Sequence, residues 1–240
     1  MKTIKHLLFI VVVSLLFATT SCMEDFNIRG NGISATDGRP ASNFTKITSS
    51  GSFDVHITKG DQYEVIVNAE SNILQYIDTR VSGNTLHIDI RGVHNIRNRL
   101  PMEVYVTTPY MESVKQSGSG LITTDYFDPE NFEVVISGSG VISTAVETNQ
   151  INATISGSGK LNITGEANRV DYTVSGSGRI DSYELTTDDC YAKISGSGSI
   201  YVNAIDFIRA SISGSGNVYY YGEPALETHI SGSGKVVQVN

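Results

Sequence analysis

The sequence predicts an all-β protein: a parallel β-helix (β-solenoid) with ~18–20 residues per turn and less regular N-terminal turns. Two observations lead there. The tetrapeptide Ser-Gly-Ser-Gly starts at Ser117, Ser137, Ser156, Ser175, Ser195, Ser213 and Ser231, at spacings of 20, 19, 19, 20, 18 and 18 residues. Between copies, apolar and mixed positions alternate with period two, the mark of a strand with one buried face.

The columns of the repeat justify each strand. Immediately before the tetrapeptide stand Ile136, Ile155, Val174, Ile194, Ile212 and Ile230. Four residues earlier stand Phe132, Ile151, Val170, Cys190, Ile208 and Leu226. Two residues past the last glycine stand Ile122, Ile142, Leu161, Ile180, Ile200, Val218 and Val236. The columns between them mix charged, polar and aromatic residues. One turn this small cannot bury its inner face alone; stacked turns bury a continuous apolar column. Glycine suits the stacked corners because it takes positive φ and lets backbones approach closely. The serines are expected to hydrogen-bond along the stack.

The N-terminal half is strand-like but less periodic. Phe53–Ile57, Tyr63–Val67, Leu86–Ile90 and Met102–Val106 alternate, separated by the turn signals Lys59-Gly60-Asp61, Ser82-Gly83-Asn84 and Pro109. A helical turn is expected within Ala69–Tyr76. The chain divides into residues 1–21, a lipoprotein signal peptide; 22–42, a polar tether leading into the fold; and 43–240, the solenoid domain. Residues 23–42 have room to fold over the first turn.

The signal reading rests on Lys2 and Lys5, the apolar run Leu7–Phe17, and the small residues Ala18–Ser21 directly before Cys22. That run is too short for a permanent bilayer span. Cys22 is the expected lipidation site, although Thr19 replaces the usual aliphatic residue three positions before it. This places the protein in a bacterial envelope, lipid-anchored, with the outer membrane as the expected location. An ordinary cleaved signal peptide is the alternative.

The formal net charge is −8. Removing residues 1–21 takes away Lys2 and Lys5 and no acid, leaving −10. Such an acidic chain without a basic stripe excludes a nucleic-acid partner. The local basic group Arg91, His94, Arg97 and Arg99 reads as a solvated loop, with an anion or acidic glycan as the sharper alternative. With Cys22 acylated, Cys190 is the one remaining thiol, so no disulfide forms within the chain. Its place in an apolar column marks it as a small buried hydrophobe.

The run Gly51-Ser52-Phe53-Asp54-Val55-His56-Ile57, then Lys59-Gly60-Asp61, Asn68-Ala69-Glu70-Ser71-Asn72-Ile73-Leu74 and Thr85-Leu86-His87-Ile88, resembles the "putative auto-transporter adhesin, head GIN domain" family. Val104-Tyr105-Val106-Thr107-Thr108-Pro109 and the Ser-Gly-Ser-Gly ladder complete the likeness, over roughly residues 43 to 236. The resemblance implies a β-helical fold and an exported or surface protein, and it brings no catalytic residues.

Motifs for small-molecule chemistry are weak. Gly157-Ser158-Gly159-Lys160 resembles the end of a phosphate loop, but Thr154 stands at the first glycine and Leu161 follows the lysine. Calcium β-rolls need an Asp after their glycines, and no copy has one. His56, His87, His94 and His229 lack metal-ligand spacing. No cofactor, metal or catalytic residue is expected. A carbohydrate-active β-helix enzyme needs clustered carboxylates on an outer face. The aligned columns put Asp171 between Asn152 and Tyr191 and Asp181 between Asn162 and Tyr201, so acids are not expected to stack; Asp188 and Asp189 are expected in a loop. Tyr219, Tyr220 and Tyr221, with Tyr201 one turn away, form a candidate sugar-stacking platform for a glycan or envelope polymer, although tyrosine is also simply a good strand residue, which is the favoured reading.

The expectation is therefore a non-enzymatic envelope lipoprotein for adhesion or ligand binding. A carbohydrate-active enzyme and a purely structural envelope protein are the alternatives. The last strand, Lys235–Val239, reaches almost to Asn240 and leaves no residues for a cap, so homo-oligomerisation through the C-terminal edge is a further expectation.

Overall fold

The computed structural model describes residues 27–92 and 95–239. Residues 1–26, with the expected signal segment and Cys22, lie outside that range, as do Val93, His94 and Asn240.

The chain runs through β1 (Asn27–Arg29), β2 (Ser34–Arg39), β3 (Lys46–Gly51), β4 (Asp54–Lys59), β5 (Glu64–Glu70), β6 (Ile77–Ser82), β7 (Thr85–Ile90), β8 (Asn95–Arg97) and β9 (Glu103–Thr108). The regular part follows as β10 (Ser113–Gly118), β11 (Leu121–Phe127), β12 (Asn131–Gly138), β13 (Val141–Gly157), β14 (Lys160–Gly176), β15 (Arg179–Gly196), β16 (Ser199–Gly214), β17 (Asn217–Tyr221), β18 (Ala225–Gly232) and β19 (Lys235–Gln238).

These strands form the expected parallel solenoid. Each coil has a run that enters the Ser-Gly-Ser-Gly corner and a run that leaves it. The entering runs stack in parallel register: Ile136, Ile155, Val174 and Ile194 lie one above another. The leaving runs do the same through Ile142, Leu161, Ile180, Ile200 and Val218. These columns, together with Phe132, Ile151, Val170, Cys190 and Ile208, are fully buried and fill the core.

The glycine ladder has one rung more than the tetrapeptide count. Ser117 and Gly118 of β10 pair with Ser50 and Gly51 of β3, so Ser50-Gly51-Ser52-Phe53 is an eighth corner with Phe53 in place of the last glycine. Gly51, Gly118, Gly138, Gly157, Gly176, Gly196, Gly214 and Gly232 all have φ between 116° and 132°. A Cβ on Gly176 would lie 2.6 Å from the carbonyl oxygen of Gly157. The corners are joined by backbone bonds, such as Ser177 N–H to Gly157 O (2.9 Å) and Arg179 N–H to Gly159 O (3.0 Å). The serine hydroxyls are not what holds them: among the described residues no hydroxyl of the seven tetrapeptides makes a hydrogen bond within the protein. Backbone groups at the corner satisfy one another, which leaves the serines free to face solvent.

The N-terminal half departs from a simple continuation. The coil β3–β4 is flanked on one side by β10 and β11 and on the other by β7 and β9, all in parallel. The chain thus builds one coil, crosses its outer side, and resumes on the far side. The excursion is closed by antiparallel strands: β6 on β7, β5 on β9, and β2 on β5. Of residues 23–42, expected to have room to fold over the first turn, β2 instead extends the sheet as an edge strand beside β5, and residues 23–26 lie outside the described range. Of the helical turn expected within Ala69–Tyr76, a short 3-10 helix at Leu74–Tyr76 forms, while Ala69 and Glu70 still belong to β5.

A buried carboxylate holds this cap together. Glu70 is 1 % exposed and accepts hydrogen bonds from the backbone N–H groups of Gly32, Arg99 and Leu100. Burial alone would raise its pKa; the backbone donors outweigh it and hold the carboxyl below its ordinary value.

Candidate functional site

The leaving runs carry a cluster of tyrosines on their outer face. Register places Tyr219 on Tyr201, and Tyr201 on Asp181. The Tyr201 and Tyr219 rings stack with centroids 4.8 Å apart and planes 15° apart. Tyr183 packs edge-on to Tyr201 at 5.3 Å and tilted on Tyr221 at 4.4 Å. The Arg179 guanidinium lies 3.8 Å from the Tyr201 ring centre, and its Nη2 donates to Asp181 Oδ2 at 2.7 Å. The four tyrosines are half-buried. Burial against neighbouring rings and nearby negative charge push the Tyr183 phenol up to about 12, so all its chemistry near neutrality is that of a neutral hydroxyl.

Three of the sequence-predicted residues, Tyr201, Tyr219 and Tyr221, come together here. Tyr220 does not: it is 7 % exposed and points into the inner column above Val202, because alternation along β17 turns it inward. The rings also use their faces on one another and on Arg179. What the cluster offers outward is therefore a rigid row of ring edges and phenol groups, where the sequence suggested flat sugar-stacking faces.

Tyr183 is the member that the sequence reading missed. Asn162 pairs with Asp181 but Gly165 pairs with Leu185, so β15 carries an extra residue here against β14. Against β16 the excess is larger, since Ser182 pairs with Val202 and Thr186 with Asn203. The bulge brings Tyr183 over the ladder. Its sequence signal is the change of spacing from 20 residues before Ser195 to 18 after it.

The same residue pattern recurs on the entering runs. Arg169 pairs with Asp171 and lies 3.9 Å from the Tyr191 ring centre, one coil further on. An Arg at i, an Asp at i+2 and a Tyr one coil beyond the Asp thus brace both outer faces.

A second feature lies at the bend away from the glycine corner. Glu147 of β13 is in direct register with Glu166 of β14, so acids do stack there, against expectation. With Tyr126, Asp128, Glu130 and Asp188 they line an open trough of about 650 Å³. Alternation breaks at this bend, where Gly165 and Glu166 are successive unburied positions, and so period two did not sort these acids outward. Asp188 and Asp189 lie within β15 rather than in a loop. Tyr126 donates to Glu147 at 2.5 Å, and this bond pushes the phenol up to about 12. Lys59 pairs with Asp128 and holds its carboxyl below the usual range. Among the described residues no group of three or more His, Cys, Asp or Glu is placed to hold a metal ion.

The other singled-out residues are scattered. Arg91 is tied to Asp78, Arg97 lies in β8 against β1, and Arg99 gives its backbone N–H to Glu70, so these three do not converge. His56 stacks on Tyr105 at 5.1 Å and its Nδ1 bonds to Thr123, His87 lies in β7, and His229 lies in β18. Cys190 is fully buried between Val170 and Ile208, and burial pushes its thiol well above the ordinary range.

The model of the "putative auto-transporter adhesin, head GIN domain" family matches residues 43–224. The chain belongs to this family. Solved structures share its fold. A putative adhesin from Bacteroides fragilis NCTC 9343 is 22% identical with a TM-score of 0.82, covering 88% of this chain and 100% of its own. A putative lipid binding protein from Parabacteroides distasonis ATCC 8503 is 23% identical with a TM-score of 0.74, covering 89% of this chain and 100% of its own. A putative adhesin from the same organism is 23% identical with a TM-score of 0.73, again over 89% and 100%. A search of curated proteins finds no match. The family label makes this an adhesin-like chain of the extracellular space or cell envelope. No helix among the described residues is long and apolar enough to cross a membrane.

Proposed function

We propose that the protein is a non-enzymatic lipoprotein of the bacterial outer membrane, anchored through Cys22 at the end of a signal peptide (residues 1–21) and a tether (22–42). Its solenoid, residues 43–240, holds a glycan or envelope polymer against the tyrosine face. The observation that carries this reading is the cluster Tyr183, Tyr201, Tyr219 and Tyr221 braced by Arg179. Half-buried tyrosines held by their neighbours lose little side-chain entropy on contact and present both apolar edges and hydroxyls.

A glycan and envelope-polymer array probed with the full chain tests the ligand. Tyr201→Ala and Tyr219→Ala are each expected to weaken the captured ligand ~10-fold or more, the scale of a central contact residue. Equal binding by both variants sinks the assignment. Cys22→Ala is expected to release the protein from membranes; a wild-type chain that partitions into the aqueous phase of a detergent separation refutes the anchor.

The carbohydrate-active alternative rests on the Glu147–Glu166 pair. A general acid needs a carboxyl raised by burial, and both of these side chains are exposed. The pair favours a solvated acidic edge over a hydrolytic site.

A further inference from the structure

The two ends of the solenoid are closed differently. At the N-terminal end β2 pairs edge-on with β5 and β6 with β7, and the edge strand β2 carries inward charges: Asp37 and Arg39 stand in register with the buried Val67 and Val65. At the C-terminal end β18 pairs with β16 and β19 pairs with β17, and among the described residues nothing pairs with their other edges. The inner column is uncovered there. Leu226 and Ile230 are 45% and 43% exposed, whereas Ile208 and Ile212, one coil earlier in the same columns, are 0% and 2% exposed. An open edge is usually blunted by proline, a bulge or an inward charge; β18 reads ALETHISG and β19 reads KVVQ, with no proline and with their charged residues in the outward columns.

The pattern of β18 names the occupant. About Thr228 the strand is symmetric in character: Leu226 and Ile230 are apolar and inward, Glu227 and His229 are outward and of opposite type, and Ala225 and Ser231 are small. A two-fold axis through Thr228 pairs this strand antiparallel with itself. Leu226 then meets the partner's Ile230, and Glu227 meets the partner's His229. The preceding coil lacks this symmetry, since Arg209 there is matched by Ser211.

We infer that the open C-terminal coil docks end to end, in antiparallel register, on the C-terminal coil of a second copy of this chain. The contact is isologous and buries the free edges of both copies. The N-terminal edge, blunted by Asp37 and Arg39 on β2, offers no comparable apolar column, so assembly stops at two. Asn27, the first described residue, lies in β1 against β8 at the N-terminal end, so the first described residues of the two copies stand at opposite ends of the joined rod. Resting on the envelope reading above, this geometry joins copies on facing membranes: homophilic contact between cells.

Three measurements on the full chain in detergent test it. Light scattering is expected to give twice the protomer mass; a monomer at the highest concentration the protein tolerates overturns the proposal. Thr228→Cys is expected to give an oxidant-dependent covalent dimer absent from wild type, because residues facing each other in an antiparallel pair have Cβ atoms ~5 Å apart. A dimer that does not cross-link at this position refutes the register. His229→Glu sets Glu against Glu and is expected to raise the dissociation constant ~10-fold or more, with Glu227→His added in the same chain restoring it; a double variant no better than the single one also refutes it. Beads carrying the chain by its N-terminus are expected to clump without any glycan and to stop when Ile230 is changed to Asp. Dispersed wild-type beads refute the bridging of facing surfaces. Since no glycan is present, a negative glycan array leaves these results untouched.

Discussion

The repetitive coils from β12 to β17 and the closing end formed by β2, β5 and β6 are held by different means. In the coils, backbone meets backbone at each corner, and the required residue is glycine because the preceding rung's carbonyl occupies the space a Cβ would need. At the closing end, side chains do the joining: Glu70 ties Gly32, Arg99 and Leu100 together, and Asn72 reaches the Arg29 carbonyl. Repetition makes the first kind of stability identical from rung to rung. The second kind rests on single residues that no repeat duplicates.

Four substitutions separate the two regions. The largest effect is expected from Gly176→Ala. Its φ of 116° is hostile to a side chain, and the new Cβ would sit 2.6 Å from Gly157 O, on both sides of which the stack continues. A loss of ~4 kcal/mol or more is expected by denaturant unfolding; a variant with a near-wild-type midpoint shows that the corner can slide. Glu70→Gln comes next and should loosen the closing end first, read as faster hydrogen exchange in β2 and β5 than in β14. Because the folded carboxyl is held below its ordinary pKa, its stabilisation is complete above the unfolded value and is lost as pH falls through the folded one. Wild type should therefore lose stability on acidification below the ordinary carboxylate range, and the Gln variant should show a flatter profile over that window. Cys190→Ser buries a hydroxyl between Val170 and Ile208 and is expected to cost ~1–3 kcal/mol. The native thiol should resist a thiol reagent that labels it fully in denaturant; rapid native labelling contradicts its place in the core. Gly32→Ala is the mildest. Its φ is 75° but nothing lies within 4 Å of the added methyl, so only local strain of ~1 kcal/mol remains. If Gly32→Ala and Gly176→Ala cost the same, φ alone sets the corner and the close approach of the rungs adds nothing.

Much of the solenoid was legible because its signal is repetition. The apolar columns ending in Ile136 to Ile212 predicted which residues face inward, and the register agrees rung by rung. The eighth corner escaped notice because Phe53 replaces its last glycine, and the detour of β7 and β9 left no periodic trace. Which strand an excursion returns beside depends on distant pairing, and alternation within one strand carries no information about that. The tyrosine face was half legible. Tyr201 and Tyr219 share a column in the aligned repeat, whereas Tyr183 belongs to a bulge and Tyr220 is turned inward by a parity that adjacent tyrosines conceal. Glu147 and Glu166 fall where the alternation itself fails.

The free rung at the C-terminal end also sets how the molecule meets force. Tension applied along the rod from that end loads the hydrogen bonds of one coil before those of the next, so coils come away singly and at nearly constant load. At the other end, the coil of β3 and β4 is gripped by neighbours on both sides, and strands of opposite direction cross its exit. The molecule is thus expected to yield unevenly under load, shedding rungs from the C-terminal end while the coil of β3 and β4 keeps its shape.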